Sequence, residues 1–173
     1  TASNVPDQSE QALDALIAAS KINGRNPDLW LRISTLWERR GETHQARLAM
    51  LRAVELSPES KLYLRRYADL QEKELDLTSH KYSDEISESL HQTLQHMLKL
   101  FPDDIWVHAH MGNLAWTQEK FVLAETHLLR ALESKSPYPW ANFRLGMVYF
   151  SQKKWESALQ AFEEGLKSDP KND

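Results

Sequence analysis

Residues 145–170 read LGMVYFSQKKWESALQAFEEGLKSDP, and three side chains in this stretch decide what the chain can be. Ala158, Phe162 and Gly165 are spaced four and then three apart, which puts them on one stripe of a helix. The same triplet stands earlier as Ala124, Leu128 and Ala131, and 158 minus 124 is 34. It recurs as Ala46, Met50 and Ala53, and 34 residues before that as Ala12, Leu16 and Ala19. Small residues on such a stripe let two helices cross closely; a larger side chain would push their axes beyond about 8–10 Å. Upstream of three triplets lies a matching first helix: Trp30, Ile33, Ser34 and Trp37, with Gly41 at the turn; then Met111, Gly112, Ala115 and Phe121; then Leu145, Gly146, Tyr149 and Trp155. Pro58 and Pro170 follow the second helices, where a helix must stop.

In this order the residues closely resemble the W-L-G-Y-A-F-A-P signature of the tetratricopeptide family, over nearly the whole chain. The resemblance implies an all-α fold, a right-handed superhelical solenoid of antiparallel helix pairs. A single domain spanning residues 1–173 is expected, with a half repeat at about 9–24 and four repeats at about 27–58, 59–102, 103–137 and 138–170. Five glycines and no alternating Val/Ile/Thr run leave little room for a sheet.

The second of the four full repeats breaks the period. From Ala46 to its counterpart Leu90 is 44 residues, ten more than 34, and Leu94 and Met97 continue the triplet before Pro102. The extra length is expected in residues 75–84, LDLTSHKYSD, as a polar linker, with Ser83 capping a helix that begins near Asp84. Two readings of it stay open, a tolerated insertion and a contact loop on one face of the array. The chain opens on Thr1 with a second-type helix alone and stops three residues after Pro170. This points to a segment of a longer protein, or to an array whose uncapped ends pair with a partner or with another copy.

A formal charge of −4 offers no basic footprint for nucleic acid. No run of residues is apolar enough for direct membrane insertion. The absence of cysteine excludes disulfides and thiolate sites and is compatible with cytoplasm and periplasm alike, so localisation stays open. Seven histidines include no pair spaced to chelate: His108 and His110, two apart, lie about 200° from each other on a helix. Asp103 and Asp104 follow Pro102 at a helix start, where carboxylates cap free N–H groups. Without a Gly-rich phosphate loop, G-x-S-x-G or H-E-x-x-H, no enzyme activity, metal or cofactor is expected.

Of six tryptophans, Trp30, Trp37 and Trp155 occupy signature positions that pack helix on helix; Trp106, Trp116 and Trp140 do not. In the family, the concave groove is lined by six set positions of each first helix. Carried over, the resemblance assigns to it Arg65, Arg66, Asp69, Trp106, His110, Asn113, Trp116, Trp140, Phe143, Arg144, Met147 and Phe150, together with Leu31, Thr35, Glu38 and Lys73. A subfamily grips terminal carboxylates with a Lys-Asn-Asn-Lys-Arg clamp, which is not reproduced at either candidate register here. The expected function is a scaffold that holds a peptide or amphipathic helix of a partner protein, with an architectural solenoid, or a regulatory segment of an enzyme lying outside this chain, as alternatives. Circular dichroism of the chain is expected to be dominated by helix; substantial sheet would overturn the repeat assignment.

Overall fold

The computed structural model describes residues 8–77, 80–133 and 138–168. Among them the regular structure is helical: α1 (Gln8–Ile22), α2 (Pro27–Arg39), α3 (Thr43–Leu56), α4 (Lys61–Leu77), α5 (His80–Leu100), α6 (Ile105–Thr117), α7 (Phe121–Leu132), α8 (Pro139–Ser151) and α9 (Trp155–Ser168). The helices form two compact units, Thr1–Thr93 and Leu94–Asp173, with the boundary inside α5.

In the first unit α1 packs on α2, α2 on α3 and α3 on α4. Asn26 starts α2 by accepting a hydrogen bond from the Asp28 N–H at 3.0 Å, followed by Pro27, whose missing N–H costs nothing in the first turn. Trp30 and Trp37 pack against two clusters, Leu13, Ile33 and Ala49 on one side and Ala46, Met50, Ala53, Tyr63, Tyr67 and Leu70 on the other. The Trp30 indole N–H donates to the Gly24 carbonyl at 2.8 Å, so its one polar atom is satisfied. In the second unit α6 packs on α7, α7 on α8 and α8 on α9, and α6 also touches α8 directly. Asp104 starts α6 by accepting from the Trp106 N–H at 2.9 Å, the capping role its position suggested.

The helix pairs close on small residues. At Gly112 an added Cβ would lie 2.6 Å from Leu128 Cγ, and at Gly146 one would lie 2.5 Å from the Phe162 ring. The equivalent in the first unit is Ser34, buried, whose hydroxyl donates to the Ala46 carbonyl at 2.8 Å. Met50 and Leu128, the large residues of two triplets, are fully buried, and each such side chain contributes roughly 1.5–3 kcal/mol. The turns between helices repeat as well. Gly41, Glu119 and Lys153 all have φ near +60 to +80°, at 79°, 58° and 60°. The next residue in each case, Glu42, Lys120 or Lys154, donates its N–H five residues back, to Trp37, Ala115 or Tyr149. This is the Schellman closure, which satisfies helix-end carbonyls. Glycine fits it without strain only at Gly41.

Two expectations need correction. Residues 75–77 end α4 and residues 80–84 belong to α5, so the described part of the expected linker is helical, and Ser83 lies within α5 rather than capping it. Residues 78 and 79, like Pro170, lie outside the described residues. The extra length goes into a 17-residue α4 and a 21-residue α5, against 12–15 residues in the other helices. The segment contains no Gly or Pro to break a helix. Trp155, expected in the core, is 56% exposed: its counterpart Phe121 packs against a cluster that includes α8 residues, whereas no described helix covers Trp155 in that way.

The close crossings predict the cost of enlarging them. Gly146→Ala is expected to lower stability by about 1–3 kcal/mol, and Phe162→Leu introduced alongside it should recover part of that loss. Thermal denaturation of the single and double variants measures the coupling; additive losses would mean that the two side chains do not meet.

Candidate functional site

The sequence places Trp106, His110, Asn113 and Trp116 three or four residues apart on α6, so they share one face. On α8 the same spacing holds for Trp140, Arg144 and Met147. The structure brings these two rows together. Trp106 stacks on His110 with ring centroids 3.9 Å apart, and His110 meets Trp140 edge to face at 5.4 Å. Tyr138, which the sequence reading missed, extends the row at 6.0 Å from Trp140. Further along, the Arg144 guanidinium lies over the Trp116 ring at 4.1 Å, a cation–π arrangement that fixes its orientation. All six of these side chains are part-exposed. Asn113, between the two groups, is also part-exposed, and its Oδ1 is buried without a hydrogen-bond partner among the described residues.

Two expected groove residues make contacts toward α9. Phe143 packs over Gly165 of α9, with an added Cβ there falling 3.0 Å from its ring, so it takes part in the α8/α9 crossing. Phe150 is 55% exposed and meets Trp155 edge to face at 5.2 Å. Met147 is exposed beside them.

In the first unit the candidate side chains are charged and engaged with one another. Arg66 on α4 binds Glu38 on α2 at 2.7 Å, and Lys73 approaches the same carboxylate at 3.5 Å. Leu31 packs against the local core, and the Thr35 hydroxyl donates to the Leu31 carbonyl at 2.9 Å. Arg65 and Asp69 are part-buried on α4. A second carboxylate, Glu74, is buried and held by His44 at 2.8 Å and by Arg47.

A family model for the tetratricopeptide repeat matches residues 139–172. Solved structures match along almost the whole chain. A MamA fragment from Desulfovibrio magneticus aligns with a TM-score of 0.76 at 13% identity, over 95% of this chain and 88% of that one. TTC0263, a tetratricopeptide protein of Thermus thermophilus, gives 0.69 at 17% identity, over 95% and 85%. The fold is the tetratricopeptide-repeat fold. PilF from Pseudomonas aeruginosa gives 0.65 at 22% identity, over 85% of this chain and 64% of that one. No curated protein sequence matches the chain.

Between α6 and α7 the tetratricopeptide framework holds a histidine pair that helix-by-helix reading could not find, because its members come from different helices. His108 of α6 and His127 of α7 approach Nδ1 to Nδ1 at 2.9 Å, and His108 Nε2 lies 3.0 Å from the Pro102 carbonyl. A carbonyl only accepts, so His108 Nε2 carries the proton; with His108 neutral, its Nδ1 must accept from the His127 Nδ1–H. Burial, and secondarily the neighbouring His108, push His127 below the ordinary imidazole value. Among the described residues no group of three or more His, Cys, Asp or Glu is placed to hold a metal.

Because the folded-state value of His127 is depressed, the unfolded chain takes up protons first. Its stabilising contribution is complete above about pH 6.5 and is lost as pH falls from there toward the folded value. Thermal midpoints measured between pH 7.5 and 5 should therefore fall more steeply for the natural chain than for His127→Gln. Parallel slopes would show that the pair does not govern acid stability.

Proposed function

We propose that the chain is a protein-binding scaffold and that the α6/α8 face of its second unit holds a peptide or amphipathic helix of a partner. The observation that carries this reading is the cluster of part-exposed aromatic rings, Trp106, His110 and Trp140, beside Arg144 on Trp116. Helix crossing in this fold is met by the small residues Gly112 and Gly146 and their partners. Trp116, Tyr138 and Trp140 pack against the core cluster of the second unit yet stay part-exposed, so each ring keeps an accessible portion for a partner. Aromatic side chains and Arg supply most of the energy in protein interfaces, because they bury large areas with few rotors.

The charged row of the first unit supports the same choice. Arg66 already faces Glu38 at 2.7 Å, and a partner carboxylate would have to displace that pair. Exposed pairs of this kind contribute about 0–1 kcal/mol, so they serve registration more than affinity.

The test pairs two numbers for Trp140→Ala: the thermal midpoint, and the affinity for the partner segment recovered by affinity capture and resynthesised as a peptide. The expected result is a loss of about 2 kcal/mol of binding, roughly thirtyfold, with a change of only a few degrees in the midpoint. Arg66→Ala should change that affinity less than threefold. A large fall in midpoint with unchanged affinity would return Trp140 to packing and move the partner elsewhere.

A further inference from the structure

The turn between α1 and α2 sets the carboxamide of Asn23 beside the backbone N–H of Gly24. Asn23 directly follows the last residue of α1; its own N–H donates to the Ala19 carbonyl at 2.9 Å, and the residue is exposed. The next N–H is placed differently. One more residue of helix would give it to the Ser20 carbonyl, but among the described residues the Gly24 N–H has no acceptor. Gly24 instead turns so that an added Cβ would lie 2.8 Å from that same carbonyl oxygen. It also lines an open pocket of about 350 Å³ with Trp30, Arg52, Glu55 and Leu56, so water reaches the turn.

An asparagine side chain and the N–H that follows it are the two reactants of succinimide formation. The Gly24 nitrogen gives up its proton and attacks Asn23 Cγ; the new C–N bond forms, the bond from Cγ to Nδ2 breaks, and ammonia leaves with the proton. Water then opens the ring at one of its two carbonyls. Breaking the new bond leaves aspartate at position 23. Breaking the original peptide bond leaves isoaspartate, which has one more carbon in the main chain. Glycine suits the attack, because no Cβ shields its nitrogen and its backbone can turn to present it.

The other described asparagines lack one of the reactants. Asn26 precedes Pro27, whose nitrogen has no proton to lose. Asn113 and Asn142 lie within α6 and α8, where the N–H that follows each is committed to a carbonyl one turn back.

The product changes more than the surface of the turn. The Gly24 carbonyl accepts the Trp30 indole N–H at 2.8 Å, and Trp30 packs against both hydrophobic clusters of the first unit. We propose that Asn23–Gly24 is a site of spontaneous deamidation, and that its isoaspartyl form draws the Gly24 carbonyl off the Trp30 indole and loosens the junction of α1 with α2. The site lies in the first unit and does not depend on the reading of the α6/α8 face.

The test ages the 173-residue chain at 37 °C over a range of neutral to alkaline pH and follows each asparagine by peptide mapping. The isolated peptide of residues 21–26, KINGRN, aged alongside, is the unprotected reference. A mass gain of about one dalton is expected at Asn23, within about tenfold of the peptide's rate and at least about tenfold faster than at Asn113 or Asn142. The rate should rise with hydroxide, and Asn23→Gln should abolish the gain. The isoaspartyl fraction, separated by chromatography and identified by enzymatic methyl transfer to its carboxylate, should melt below Asn23→Asp, which has the same charge on a normal backbone. No gain at Asn23, a rate like that of the helical asparagines, or a rate indifferent to pH would overturn the modification. Equal melting of the two aspartyl forms would overturn its effect on the α1–α2 junction.

Discussion

The close crossing of paired helices is the constraint on which the other features rest. A first helix offers a position without a bulky side chain, and the second helix inserts a large one: Leu128 against Gly112, Phe162 against Gly146. Ser34 solves the same problem differently, since its hydroxyl is turned to the Ala46 carbonyl and so satisfies itself while staying small. Once the axes are that near, the stripe on each helix that faces its partner is committed. Dense interiors resist even one added methylene, so these few positions hold the geometry for many others.

With that stripe committed, the remaining positions on each helix can be spent in different ways, and the two units differ. In the first, Glu38 gathers Arg66 and Lys73, and outside the candidate row Glu74 gathers His44 and Arg47, so charges here already meet opposite charges within the unit. Pairs of this sort leave little net attraction for a partner. In the second, the equivalent row is built from rings, with one guanidinium stacked on Trp116. Such a row offers dispersion and ring quadrupole rather than charge.

The sequence made the crossings legible because they depend on residue size at fixed spacing, which is local information. It located Trp106, His110, Trp140 and Arg144 on faces that come together for the same reason. It failed where the answer depended on something else. Trp155 has the same place in the period as Phe121, but burial at that place requires a following helix, which the spacing alone does not supply. The polar composition of residues 75–84 suggested a linker, yet polar residues without Gly or Pro are compatible with helix, and the described ones belong to the end of α4 and the start of α5. Phe143 looked like a groove residue by position, but the missing side chain of Gly165, one helix away, makes room for its ring. The histidine pair joined α6 to α7 across 19 residues, beyond any spacing rule within a helix.

The three turns at Gly41, Glu119 and Lys153 close through main-chain hydrogen bonds, with three different residue types in the left-handed region. Geometry fixed by the backbone survives replacement of the residue that adopts it, at a strain of about 1–2 kcal/mol where glycine is absent. Such a framework is permissive of divergence: a lineage can rewrite the exposed faces of its helices, one substitution at a time, while the bends between them keep their shape. New binding specificity can then arise without passing through an unfolded intermediate sequence.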